Sequence, residues 1–262
     1  MAADKRASAK AEEQKPQRTT VQKALREILS WVWLLLALFV VEGAVAQSRL
    51  IPSGSMENTI LVGDHIVVSP FGYSLCVPYT ELHVPLWRNP KRQQIIILES
   101  PVNGTEDLIK RVIGVPGDRI QIEHGIVSVN GKKLNEPYVL RDPSDSDGAL
   151  ENFPPTGDPL FQNGLTPQWA ATMHEHIVDG KLVVPPGDYF VMGDNRGDSY
   201  DSRYWGFVPR KNIIAEPLFI FMSINASEDA WQPGHVGERI DAYLNIFLHP
   251  SEVRWGRLFH PL

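Results

Sequence analysis

A chain of 262 residues, 43% of them hydrophobic and 21% charged, can bury a core large enough for one domain or two. Its formal net charge of -6 argues against nucleic acid as a main partner, because phosphate binding needs clustered positive charge. The single cysteine, Cys76, excludes an internal disulfide framework and every multi-cysteine zinc site.

Residues 1–27 form a polar tail containing Lys5, Arg6, Lys10, Lys15, Arg18, Lys23 and Arg26. The following segment, "ILSWVWLLLALFVVEGAVA", covers residues 28–46 and is interrupted only by Glu42 near its far end. As a helix it would be roughly 28 Å long, close to the thickness of a bilayer's hydrocarbon layer. Basic residues before the span and few just after it predict a cytoplasmic N-terminus, with everything beyond residue 47 outside. The "AVA" at Ala44 to Ala46 also fits the end of a cleavable leader, but the long charged tail and the length of the span favour an anchor.

Beyond residue 48 the pattern changes to short β-rich runs broken by Gly and Pro. "GDHIVVS", "QQIIILE", "DLIKRVIGV", "DRIQIEHG", "IVSVNGKKL", "GKLVVP", "DYFVMG" and "LFIFMSI" read as strands or hairpin arms, with Asn130-Gly131 as a hairpin turn. Long amphipathic helices are not expected. Residues 135–180 are polar and Pro-rich and read as an inserted smaller subdomain between a first core segment, 47–134, and a second, 181–262. The chain shows no internal repeat.

Three segments invite a chemical reading. "PSGSM" at residues 52–56 places Ser53 and Ser55 in a Gly/Pro setting, which alone is the signature of a solvated turn. In "DLIKRVIGV" the alternation puts Leu108, Lys110 and Val112 on one face and Ile109, Arg111 and Ile113 on the other, so a basic residue interrupts each apolar row. Either Lys110 or Arg111 reaches water from a strand end, or Lys110 is stripped of hydration. A lowered pKa would then make it a usable base near neutrality. "GDNRGDSYDSRYWGF" fails the EF-hand order because Arg196 stands at a ligand position. It also lacks a recognisable histidine partner for a serine triad. The "HEH" at His174 to His176 is followed by Ile177, which breaks the zinc-helix spacing H-E-x-x-H, so no metal ligands are assigned.

Taken together, "IPSGSMENTILVGDHIVV", "IKRVIGVPGD", "VNGKKL" and "GDNRGDSYDSRYWGFVP", in this order behind an N-terminal span, resemble bacterial signal peptidase I, the membrane-bound Ser-Lys leader peptidase. The resemblance implies a mostly β, membrane-anchored catalytic domain of antiparallel sheets, with no cofactor. Its activity would be removal of signal peptides from exported preproteins at small-x-small sites. Its partners would be those preproteins and membrane lipid, at the bacterial cytoplasmic membrane. By resemblance, Ser55 is the nucleophile, Lys110 the general base, and Ser53 an oxyanion-hole hydroxyl beside the backbone N–H of Ser55. Ser199 resembles the serine that orients the lysine, Asp201 and Arg203 a supporting ion pair, and Ile51 and Ile109 pocket residues. Three departures stand out: Asn58 replaces a proline common in "SMxPT", one span is read where many relatives have a second, and the charged Arg49 precedes the motif where the cleft would be apolar. A self-cleaving Ser-Lys stress-response peptidase would share the dyad but carry a regulatory region in place of the span. An inactive anchored binding module would keep the fold alone.

Overall fold

An apolar run can be buried in a sheet or left on the outside of a helix, and the chain does both. A computed structural model describes residues 20–77, 80, 82–102, 104, 106–140, 152–155 and 164–262. It divides into one unit that ends at Val41 and a second that holds Glu42–Leu262.

Helix α1 spans Thr20–Ala44, the first unit's part of it ending at Val41, and its Val21–Ala44 stretch is long and apolar enough to cross a membrane. Its most apolar 18 residues are not buried within the protein, so Trp31, Leu35 and Phe39, all exposed, suit a lipid environment. The helix starts before the expected residue 28 and stops two residues short of Ala46. It stops because the chain becomes extended there: Val45 accepts a hydrogen bond from Ser69 Oγ at 2.9 Å, and a strand begins at Gln47.

In the second unit the strands are β1 Gln47–Leu50, β2 Asp64–Ser69, β3 Ser74–Cys76, β4 His83–Pro85, β5 Ile95–Glu99, β6 Asp107–Gly114 and β7 Arg119–Glu123. They continue as β8 Ile126–Val129, β9 Lys132–Lys133, β10 Ile177–Val178, β11 Lys181–Val183, β12 Asp188–Met192, β13 Val208–Pro209 and β14 Ile213–Ser223. Every expected run is found as a strand. A seven-stranded sheet has the order β1-β2-β14-β5-β6-β12-β13, a five-stranded sheet the order β10-β11-β7-β8-β9, and β3 and β4 form a hairpin. All pairings between these strands are antiparallel. Asn130 and Gly131 both have positive φ, 55° and 76°, as a two-residue primed turn requires.

Strand β14 shifts register three times, once beside Pro217, which has no N–H for a regular ladder. Such bulges bend the sheet. Two strand edges among the described residues bear on the site. Strand β1 ends the sheet order, and β6 meets β12 only over Arg111–Gly114, leaving its Asp107–Lys110 half paired on the β5 side alone among the described strands.

The core lies in clusters on the faces of these sheets. Ile51, Met56, Ile60, Ile66, Val68 and Ile97 pack together under the larger sheet, while Ile113, Ile120, Phe153, Trp169 and Phe190 join the five-stranded sheet to β6 and β12. Helix α2, Pro167–Thr172, plants Trp169 in that second cluster. Pro167 suits its first turn, and Thr166 accepts from Trp169 N at its start. A short helix α3, Ser202–Trp205, follows Asp201. The expectation of no long amphipathic helix is corrected by α4, Val236–Leu248. Ala242, Tyr243 and Ile246 pack inward near Trp231, yet Val236, Ile240, Leu244 and Phe247 are exposed. Apolar residues on both sides obscure the periodicity that would have announced the helix. Of the stretch read as an insertion, residues 141–151 and 156–163 lie outside the described residues.

Candidate active site

Ser53 is extended, with φ -131° and ψ 150°, and Gly54–Met56 make one 3-10 turn whose Met56 is buried. This turn is pinned from one side by the loop after β12. Asn195 N donates to Ser55 O at 3.2 Å and its Nδ2 to Gly54 O at 3.3 Å. Gly193 packs so closely that a Cβ there would lie 2.4 Å from Ser55 O and 2.3 Å from Ser199 Oγ. Gly54 itself faces Glu57, whose Cδ would be 3.2 Å from an added Cβ. Asn58 has φ 83°, which a proline ring cannot adopt, and its Nδ2 donates to Tyr138 O at 2.9 Å. The departure from "SMxPT" therefore comes with a different turn and a side-chain tether in place of ring rigidity.

Strand β6 delivers Lys110 to the same place. The side chain is 3% exposed, and its Nζ lies 2.7 Å from Ser55 Oγ. Burial pushes the ammonium down to about 8, against the opposing pull of Asp201, while Arg203 adds to the depression. Lys110 does not escape to water. Neither does Arg111 on the opposite face, which pairs with buried Asp194 through Nε at 2.8 Å and Nη2 at 2.6 Å. Asp194 also accepts from Thr59 Oγ1 at 2.6 Å, and the Tyr138 ring lies 3.8 Å from the Arg111 guanidinium. Arg111 thus ties β6, the Ser55 turn and the following loop together.

The third segment forms a buried knot. Asp201 accepts from Arg203 Nε and Nη2, each at 2.9 Å, from Ser199 Oγ at 2.8 Å and from Gly193 N at 2.9 Å. Burial works against the charge on Asp201, but Arg203 and these hydrogen bonds hold its carboxyl below the usual range. Arg203 also donates to Arg196 O at 2.8 Å, which closes the loop on itself. The hydroxyl of Ser199 is directed at Asp201, while Lys110 donates to Ser55. Ser199 and Ser55 nevertheless crowd the same face of Gly193.

A cavity of about 460 Å3 opens over the pair. Ser53, Ser55 and Lys110 line it, as do Ile51 and Ile109, with Ile60, Ile97 and Met56 beneath. Ser53 is exposed and its hydroxyl makes no capping bond to the turn. Ser199, Asp201 and Arg203 stand behind the cavity, outside its lining. Among the described residues no group of three or more His, Cys, Asp or Glu is placed to hold a metal ion. Sequence reasoning missed Asn195, Thr59 and the Arg111–Asp194 pair. Asn195 and Asp194 belong to the "GDNRGDSYDSRYWGF" segment, but nothing in their spacing reveals that they grip the turn.

Comparison with known proteins gives the same direction. Residues 24–222 match the family model described as signal peptidase, peptidase S26. The chain is 29% identical to signal peptidase I of Buchnera aphidicola over 80% of this chain and 79% of that protein. With signal peptidase I of Pseudomonas fluorescens it shares 30% identity over 79% and 78%. A crystal structure of a signal peptidase I from Enterococcus faecalis is similar at 31% identity, covering 49% of this chain and 97% of that one with a TM-score of 0.36. On the family match and these relatives, the chain belongs to the signal peptidase family of serine endopeptidases, peptidase S26.

Proposed function

We propose that this protein removes signal peptides from exported preproteins at small-x-small sites, with Ser55 as nucleophile and Lys110 as general base. The observation that carries the reading is the 2.7 Å approach of Lys110 Nζ to Ser55 Oγ, by a lysine that burial has pushed down to about 8. At pH 7 roughly a tenth of such a lysine is neutral, against about one in 2,500 for a free side chain. Neutral Nζ takes the hydroxyl proton as Oγ attacks the scissile carbonyl. Ser53 Oγ and the N–H of Ser55 stabilise the oxyanion. The lysine then protonates the leaving amine, which releases the mature protein and leaves the signal peptide as an ester on Ser55. Water, deprotonated by the same lysine, hydrolyses that ester.

The substrate lies extended between the edge of β1 and the Asp107–Lys110 edge of β6, with small side chains over Ile51 and Ile109. Ser199 acts on the lysine through position, and Asp201 with Arg203 holds Ser199 and Gly193. Helix α1 anchors the enzyme in the bacterial cytoplasmic membrane with the N-terminus cytoplasmic, in keeping with the basic tail before it. Ser55 lies nine positions beyond Ala46, so the site lies within roughly 30 Å of chain from the membrane exit. The test is incubation of the purified protein with a preprotein whose leader ends in Ala-x-Ala, followed by N-terminal sequencing. One cut after the second alanine is expected, lost in Ser55→Ala and in Lys110→Ala. Undiminished cleavage by either variant refutes the dyad.

A further inference from the structure

One end of the cavity carries a charged pair where the floor is otherwise apolar. Arg49 stands opposite Ile66 across β1 and β2, so its side chain leaves the sheet on the face that buries Ile66, Val68 and Ile51. Its stem lies along that floor, and its Nη2 reaches Asp107 Oδ2 on β6 at 3.3 Å. Both residues line the cavity that holds Ser55 and Lys110. The guanidinium offers five N–H donors, yet Nε is shut off from water with no hydrogen-bond partner among the described residues. The side chain as a whole is 38% exposed and lines the cavity, so an acceptor in the cleft is met by the terminal Nη groups rather than by the enclosed Nε.

Geometry says which part of a substrate arrives there. If the residue before the cut lies over Ile109, beside Lys110, the residue two positions further upstream along an extended strand lies about 7 Å away. That distance reaches Asp107 and Arg49, and the alternation of a strand returns its side chain to the same floor.

We propose that Arg49, tethered by Asp107, is a specificity-determining residue that takes a hydrogen-bond acceptor from the side chain of the third residue before the scissile bond. It makes the enzyme prefer a hydroxyl there over an aliphatic side chain of the same size. The inference rests on the Ser55–Lys110 reading. A site that bonds a substrate hydroxyl discriminates against the isostere that lacks it, because the group meant for the hydroxyl is left unpaired.

The full chain in detergent is given preproteins identical except for Ala, Thr or Val three residues before the cut, and kcat/KM is measured by competition. Threonine and valine have nearly the same shape, so their ratio isolates the hydroxyl. Threonine is expected to be favoured about tenfold, and Arg49→Met, which keeps the length without the donors, is expected to bring the ratio near one. A ratio near one in the unaltered enzyme, which needs no variant to be read, overturns the proposal. So does a tenfold ratio that survives in Arg49→Met. Failure of the unaltered enzyme to cut even the alanine substrate counts against the dyad reading, whereas cutting with a flat ratio counts only against Arg49.

Discussion

Lys110 is where sequence and chemistry meet most directly. Its burial was legible as an alternative, since both rows of its strand are apolar and a charge there must be paired, shifted or led out to water. What the pattern leaves open is settled by Ser55, 55 residues away in the chain but 2.7 Å away in space. If Lys110 is the base proposed above, activity is expected to rise through an apparent pKa near 8, because a lysine accepts a proton only when neutral. A flat kcat/KM between pH 6 and 9 would count against a buried lysine base, as would activity in Lys110→Arg, whose guanidinium stays charged. The same burial carries a stability consequence. The folded pKa lies below the unfolded value of 10.5, so folding disfavours the charged form, and stability rises with pH as the ammonium is lost between about 8 and 10.5. Lys110→Met is therefore expected to be inactive yet more stable at pH 7, by on the order of 3 kcal/mol, with the advantage fading towards pH 10. Urea unfolding at the two pH values measures this. Asn195 was not legible at all, because its partners are backbone carbonyls and a hydrogen bond to a carbonyl leaves no trace in the partner's residue type.

Elements were read with more success where they are periodic. The hairpins announced themselves by alternation and by Asn130-Gly131, whereas α4 was hidden by apolar residues on both its sides. The stretch "VRWGRLF", residues 253–259, supplies a buttress. Arg257 donates to buried Asp64 through Nη2 at 2.6 Å and to Thr59 O at 2.9 Å, and Arg254 donates to Val62 O at 2.9 Å. From its last residue onward, Phe259 N donates to Ile220 O at 2.7 Å and Leu262 N to Leu218 O at 3.1 Å, so the chain lines β14 where β5 has left it. Arg257→Ala should leave the Asp64 carboxylate short of a partner and lower stability by about 2 kcal/mol. It should also lower activity by loosening the turn that holds Thr59. An unchanged urea midpoint would show that Arg254 and Ser223 suffice for Asp64.

At the scale of the whole molecule, the chain carries in its own anchor the small-x-small sequence it is proposed to cut, at Ala44 to Ala46. The bond after Ala46 is guarded by structure: Gln47 pairs with Val68, and Val45 O is held by Ser69. A molecule cannot lay residues 44–48 across its own site without peeling β1 from β2. Any trimming should therefore pass between molecules and be slow. The fraction trimmed per unit time is expected to rise with enzyme concentration in detergent, and Ser55→Ala should stay intact alone but be cut by added active enzyme. Trimming at a rate independent of concentration would mean that β1 is not held as described. How the polar stretch 135–180 serves the molecule was not legible, because its composition fixes neither period nor partner. Yet Tyr138 from its first residues braces both Asn58 and Arg111. The Arg257 buttress has a last consequence, one of time. Thr59 and Arg257 are 198 residues apart, so during synthesis Ser55 and Lys110 leave the ribosome long before the arginine that steadies the turn between them. A half-made chain therefore holds both groups of the proposed dyad without the Arg257 contact that braces Thr59 in the finished one.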